Sequence, residues 1–381
     1  MLPLSVPKST IFKIAAAWLI VAVFQLGGQA WLSPDMTPVV AGICFLVLFA
    51  TILMAAFGVV GEADELAHSL GEPYGTLILT LSIVSIEVIL IAAVMMGPNE
   101  APTIGRDSIF AVMMIILNLV TGLCLVVGGL RYGEQEYNAQ GALAFISMTV
   151  VLVGTALLLP NTLGPGNGTF QPSQAIALSV FTVLLYGAFL LLQMGRYRSY
   201  FMQPEAGALS IRLSPAQGLP SEPASGDAAD RRQNIVHAVL LIVLMVPIVL
   251  LAHDLALVID YGVARAGAPV AVGGVLIAII VFTPESITAV KAAFNNETQR
   301  AINLCLGAFV STVGLTVPAV LTVGLVSGKT VVLGITPTET VLLALTLVLT
   351  LLTYLGQRSS AMQGFMHLTL FGVFSLLLFT N

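Results

Sequence analysis

Apolar stretches of about twenty residues recur eleven times along the chain, near 11–32, 37–60, 71–97, 108–130, 139–160, 171–195, 235–259, 267–292, 301–327, 334–356 and 361–380, between mostly short polar connections. At about 1.5 Å per residue each is long enough to cross a hydrocarbon core of about 30 Å as an α-helix. The first stretch, with Lys8 and Lys13 at its start, has the look of a secretion signal, but no small-residue cleavage site follows it and it reads as a helix. One connection is long, about 195–234. It carries Pro204, Pro215, Pro220 and Pro223 among glycine, serine and charges of both signs, the composition of a flexible linker with too few apolar residues for a folded domain.

Setting the first helix aside, the linker leaves five helices on either side. An odd number per half makes the second half enter the membrane from the opposite face, so any likeness between halves is an inverted repeat. The expected fold class is therefore an all-α polytopic membrane protein with eleven transmembrane helices. An extra N-terminal helix lies in 1–36, a first five-helix repeat in 37–195, the linker in 196–234 and a second five-helix repeat in 235–381.

Composition agrees with the class: 57% of residues are hydrophobic and 9% charged, with mean hydropathy +1.01, against about 25% charge in soluble domains. The net charge of −5 says less than where the basic residues lie. Alternating the connections between two sides places Lys8, Lys13, Arg131, Arg196, Arg198, Arg212, Arg231, Arg232, Lys291, Arg300 and Arg358 on one side. Only Arg106, Arg265 and Lys329 fall on the other. Such a bias marks the first side as cytoplasmic, which puts the N-terminus inside and the C-terminus outside, as expected of a multi-pass protein of a bacterial inner membrane. Cys44, Cys124 and Cys305 lie inside apolar stretches without paired spacing and read as packing residues.

Two residues stand out against this background. Glu87 is the only charge between 73 and 99, Glu285 the only one between 266 and 290, and both fall past the middle of the second helix of their half. A carboxylate at bilayer depth costs several kcal/mol, so a pair related by internal symmetry outlines a cation site where two repeats meet. The flanking residues match in kind: Leu81-Ser82-Ile83-Val84-Ser85-Ile86-Glu87 aligns with Ile279-Ile280-Val281-Phe282-Thr283-Pro284-Glu285. In the next helix of each half, Arg106-Asp107 leads to Asn118 and Thr121, and Gln299-Arg300 leads to Ser311, Thr312 and Thr316.

Hard cations take oxygen ligands, about six to eight for Ca²⁺. Two glutamates neutralise one divalent ion, and Ser85, Asn118, Thr283, Ser311 and Thr312 are the candidate further ligands, with water and carbonyls released where Pro284 interrupts its helix. Burial disfavours a bare charge, so each glutamate holds either a proton or a cation. Competition for the same oxygens is the least that an antiporter requires.

The chain resembles a known family at two stretches. One is Leu66-Ala67-His68-Ser69-Leu70-Gly71-Glu72-Pro73-Tyr74-Gly75-Thr76, running on to Glu87. The other is Asn295-Asn296-Glu297-Thr298-Gln299-Arg300, running on to Gly314-Leu315-Thr316-Val317-Pro318. Both look like bacterial calcium/proton antiporters, and most like the ChaA-type branch, sodium, potassium and calcium/proton antiporters of the cation/calcium exchanger superfamily. The resemblance implies an extra first helix, two inverted five-helix repeats and one essential glutamate in each, here Glu87 and Glu285. Many relatives carry Gly-Asn-Ala-x-Glu in each repeat; this chain has Ser85 and Thr283 two residues before its glutamates and lacks those asparagines. The acidic motif often found between the halves is also absent. The choice among Ca²⁺, Na⁺ and K⁺ stays open.

The expected function is thus a secondary active transporter that exchanges cytoplasmic cations for protons by alternating access. Its partners are inorganic cations, protons and the lipid bilayer, with no cofactor and no nucleic acid. A cation-selective channel is the nearest alternative, since acidic side chains also line cation pores. An intramembrane enzyme is disfavoured, because no HExxH, GxGD or GxSxG pattern occurs. Several polar residues have plainer expected roles. Glu339 lies where an acid suits a helix start, His237 and His367 read as satisfied core histidines, and the acidic set Glu62, Asp64, Glu65, His68 and Glu72 reads as a solvated cytoplasmic loop or a funnel for cations.

Overall fold

The structure is a computed structural model that describes residues 7–33, 36–70, 74–96, 101–163, 167–204 and 228–380. Eleven hydrophobic helices follow one another: α1 (Lys8–Trp31), α2 (Pro38–Leu70), α3 (Tyr74–Met95), α4 (Ile104–Tyr132), α5 (Ala139–Thr162), α6 (Pro172–Met194), α7 (Ala228–Ala266), α8 (Ala271–Phe294), α9 (Thr298–Ser327), α10 (Pro337–Tyr354) and α11 (Ala361–Thr380). Ten of them are long and apolar enough to cross a membrane, and α3 is apolar over Leu81–Met95. The expected linker falls mostly in 205–227, outside the described residues.

Local signals set the helix ends. Pro172 and Pro337 open α6 and α10, where a missing N–H costs nothing, and capping boxes complete both starts. In α10 the Thr336 hydroxyl accepts from Glu339 N while the Glu339 carboxylate accepts from Thr336 N, as a helix-start role for Glu339 requires. Gly328 ends α9 at φ 70°, a left-handed conformation that glycine adopts freely. Two spans are not uniformly α-helical. Met114–Val120 in α4 and Gly154–Leu158 in α5 are π-helical, and α5 closes in a 3₁₀ turn, Leu159–Thr162.

The helices outrun the apolar stretches. With 33 and 39 residues, α2 and α7 are roughly 50 and 58 Å long, so both project past the hydrocarbon. The segment with Glu62, Asp64 and Glu65, expected as a loop, is instead the last turns of α2. Helix continues there because Glu, Ala and Leu favour it and the neighbouring α7 packs along it. Glu72 and the side chain of His68 lie outside the described residues.

The two halves pack as inverted counterparts. Long helices α2 and α7 lie against each other; α3 packs on α9 as α8 does on α4; α4 packs on α11 as α9 does on α6. The connections repeat the relation. Gln135–Glu136, between α4 and α5, forms a two-stranded antiparallel ladder with Arg358–Ser359, between α10 and α11. Thr169, between α5 and α6, bridges Val332, between α9 and α10. The core lies along α4 and α9, whose apolar windows are 83% and 78% buried, whereas those of α1, α6 and α11 are 22% buried and present side chains to lipid.

Candidate functional site

Glu87 and Glu285 project from α3 and α8 into the join of the halves, where both helices meet each other and α9. Glu87 is completely buried. Thr316 Oγ1 of α9 donates to its Oε2 at 3.0 Å, and its Oε1 has no partner. One turn earlier on α9, Thr312 Oγ1 approaches the same carboxylate and is itself buried and without a formed hydrogen bond. Glu285 is near enough to feel the charge of Glu87, and its Oε2 is likewise buried and unpartnered. Glu87, Glu285 and Thr312 thus each keep a buried oxygen without a partner at this join, although buried oxygens are otherwise almost always bonded.

The remaining expected ligands divide. Ser311 lines the same cavity as Glu285, with its hydroxyl donating to Ala308 O at 2.8 Å. Ser85 and Thr283, matched in the two repeats, bond back to their own helices, at Leu81 O (2.6 Å) and Ile279 O (2.5 Å). Neither is turned to the glutamates: two residues along an α-helix is about 200° around it. Asn118 is also turned away. It sits in the π-helical turn of α4, donates from Nδ2 to Thr346 Oγ1 (3.0 Å) and meets His367 Nδ1 through Oδ1 (3.2 Å). His367 Nε2 meets Thr353 Oγ1 at 3.0 Å, so this histidine is a satisfied core residue joining α4, α10 and α11. Thr121 follows the π register, bonding Ile116 O five residues back.

Pro284 does not break α8, which runs unbroken from Ala271 to Phe294. Proline removes one N–H and so leaves one carbonyl of the previous turn without its usual donor. Among the described residues no three of His, Cys, Asp and Glu gather. The charge at the centre therefore comes from the two glutamates.

A cavity of about 370 Å³ reaches Glu285 and Ser311 between α3, α5, α6, α8 and α9, with Arg198, Met202 and Arg300 at its rim. It touches Ile83, one turn before Glu87, and stops short of Glu87 itself. The rim is a fixed structure: Asn303 Nδ2 donates to Phe201 O at 2.6 Å and Gln299 N to Gln203 Oε1 at 2.8 Å, so the first residues after α6 are fastened to the start of α9.

The other predicted polar positions have structural partners. Glu62 is buried at the junction of three helices, accepting from Thr10 Oγ1 of α1 (3.0 Å) and pairing with His237 Nδ1 of α7 (2.7 Å). It is not solvated, whereas Asp64 and Glu65 beside it are exposed. Cys124 of α4 and Cys305 of α9, distant in sequence, line one small pocket together with Thr121 and Tyr354. Thr316 is the contact that the expected ligand set lacked. Its place on the face of Thr312, four residues on, was the available signal.

Known proteins share this architecture. The model for the sodium/calcium exchanger protein family matches residues 40–195 and 236–380, one block per repeat, passing over the linker. The chain is 34% identical over 349 residues to the sodium-potassium/proton antiporter ChaA of Escherichia coli K12, covering 92% of each. It is 36% identical over 338 residues to the putative ionic transporter y4hA of Sinorhizobium fredii, covering 88% of each. The solved structure of native YfkE superposes with TM-score 0.70 at 18% identity, over 98% of this chain and 100% of that one. The protein is therefore a polytopic membrane transporter and not an enzyme, and it belongs to the sodium/calcium exchanger protein family.

Proposed function

We propose that the protein is an inner-membrane antiporter that exchanges cytoplasmic cations, Ca²⁺ or the monovalent Na⁺ and K⁺, for protons, with Glu87 and Glu285 holding either cargo in turn. The observation that carries this reading is the set of buried, unpartnered oxygens on Glu87, Glu285 and Thr312 at the join of the inverted repeats. An orphaned carboxylate oxygen in an apolar surround is satisfied by a proton or by a cation. One place that accepts either but not both couples the two fluxes. Thr312 supplies an uncharged oxygen, Thr316 holds one oxygen of Glu87 in position, and Ser311 stands where the cavity meets Glu285.

A carrier is favoured over a channel because the cavity ends at Glu285 while Glu87 is sealed. The basic rim of Arg198 and Arg300 supports a cytoplasmic position for the open mouth by the positive-inside rule, and with it the reading of this arrangement as an inward-facing step. Alternating access then needs the repeats to rock about α3 and α8 so that the same carboxylates meet the other side.

The test is cation-dependent proton release from everted vesicles, titrated separately with Ca²⁺, Na⁺ and K⁺. Glu87→Gln and Glu285→Gln keep the side-chain shape but can neither ionise nor take up a proton. Each variant is expected to abolish exchange while remaining folded in the membrane. Near wild-type exchange by either one would rule out the competition.

A further inference from the structure

Inverted symmetry requires a partner for the cytoplasmic cavity. The helices α3, α5, α6, α8 and α9 that bound it correspond in the other half to α8, α10, α11, α3 and α4. A second cavity, of about 190 Å³, lies among α4, α8, α10 and α11 at the opposite end of the molecule. Arg106, Asp107, Phe110, Val275, Glu339 and Leu342 line it, and neither Glu87 nor Glu285 does.

The two cavities differ in the state of matching residues. At the start of α9, beside the open cavity, Arg300 is half-exposed and pairs at the surface with Glu297 at 2.9 Å. At the start of α4, beside the closed one, Arg106 is drawn in. Its Nε and Nη2 each lie 2.8 Å from Asp107 Oδ1, and its Nη1 donates to Gly334 O at 3.1 Å. Asp107 is buried, with its other oxygen accepting from Thr103 Oγ1 at 2.8 Å. Close packing backs this clasp: a Cβ at Gly274 would come within 2.7 Å of Ser108 N and 2.8 Å of the Asp107 carbonyl carbon, so the first turns of α8 and α4 are in direct backbone contact. Arg106 therefore ties α4 to the segment that leads into α10.

We propose that the second cavity is the outer leg of the transport path, and that Arg106 is the gating residue that holds it shut while the cytoplasmic cavity is open. The proposal rests on the antiporter reading above. Arg106 suits the task because the pair it forms has two stable environments. Closed, its charge is met by Asp107 and the Gly334 carbonyl; opened, both charged groups gain water, as Arg300 and Glu297 have at the other end. A lysine could not reproduce the fork that reaches a carboxylate and a carbonyl together.

The test reads accessibility rather than transport. In a chain carrying Cys44→Ala, Cys124→Ala and Cys305→Ala, one reporter thiol is placed in the outer cavity (Leu342→Cys) or in the inner one (Gln193→Cys). A membrane-impermeant maleimide is applied from each side of oriented vesicles. Adding Arg106→Gln with Asp107→Asn, which removes both charges together and leaves neither stranded, is expected to raise outer labelling of position 342 at least severalfold and to lower inner labelling of position 193. Thr103→Val, which loosens only Asp107, should move both rates in the same direction by less and serves where the double variant fails to fold. Unchanged labelling at both reporters in folded protein would overturn the gate. Because no ion flux is read, a failed gate leaves the roles of Glu87 and Glu285 standing, and inert glutamate substitutions would leave the gate standing.

Discussion

Replacing Thr316 by valine removes one hydroxyl from the centre and little else, since the two side chains have the same shape. In the structure that hydroxyl donates to Glu87 Oε2 at 3.0 Å, and Thr316 is fully buried. A hydrogen bond to a charged acceptor contributes about 1.5–3 kcal/mol and one to a neutral acceptor about 0.5–1.5 kcal/mol. The bond therefore favours the ionised, cation-holding carboxylate over the protonated one by about 1–1.5 kcal/mol. Thr316→Val should raise the cation concentration for half-maximal exchange roughly five- to tenfold, since about 1.4 kcal/mol is a factor of ten. The sign with pH follows. Where the resting site is protonated, cation binding replaces a neutral bond by a charged one and the full difference is felt. Where the resting site is already ionised, the charged bond exists before and after binding and the difference cancels. The two titration curves should lie furthest apart at low pH and converge as pH rises, with Thr316→Ser close to wild type throughout. A gap that stays constant across the pH range, or no gap, would refute the claim that Thr316 acts on the competition between proton and cation.

Other consequences are separately checkable. Oxidation by copper–phenanthroline should join the Cys124 and Cys305 thiols, each losing a proton and one electron to Cu²⁺. This would fix α4 to α9 and stop exchange until a dithiol is added; Cys305→Ser should be indifferent to the oxidant. Glu62→Gln and His237→Leu should each lower stability by about 1–3 kcal/mol, because each strands a largely buried partner, and a double-mutant cycle read by thermal unfolding should show strong coupling. Asn118→Leu, which deprives His367 and Thr346 of a shared partner, should lower thermal stability by a similar amount of about 1–3 kcal/mol while leaving the cation dependence of the residual exchange unchanged.

The large features were legible because a bilayer allows few solutions. Spans must be helical and about twenty residues long, and charge inside them must be justified by function, so eleven helices, the odd split around the linker and the pair Glu87 and Glu285 all follow from the order of residue types. The structure and the family match agree with that architecture. Helix ends were less legible, since hydropathy marks where hydrocarbon stops and not where the helix does. Ala228 to Asn234 and Glu62 to Leu70 are polar or mixed, yet helical. Their helices support one another, and the Glu62–His237 pair closes the junction.

The expected ligand set is gathered only in part, for a different reason. Ser85, Thr283 and Asn118 have the right chemistry and the right depth, and what removes them is rotation about a helix axis. A hydroxyl on a helix can always be satisfied by the carbonyl four residues back, as Ser85 and Thr283 are. Asn118 is aimed by the π turn Met114–Val120, whose extra residue per turn shifts every later position on α4 relative to an α-helical count. Nothing in the order Met-Ile-Ile-Leu-Asn-Leu-Val announces that turn. On α9, which has no such turn, the α-helical spacing of Thr312 and Thr316 holds: Thr316 bonds Glu87, and Thr312 lies one turn away on the same face. The inverted repeats are thus alike in topology and unlike at the centre. α9 presents two hydroxyls to the carboxylate of the other half, while α4 spends its asparagine on holding α10 and α11. Of the two central helices, α9 is then the one whose substitutions should change which cation is carried, and those on α4 should change how firmly the fold is held.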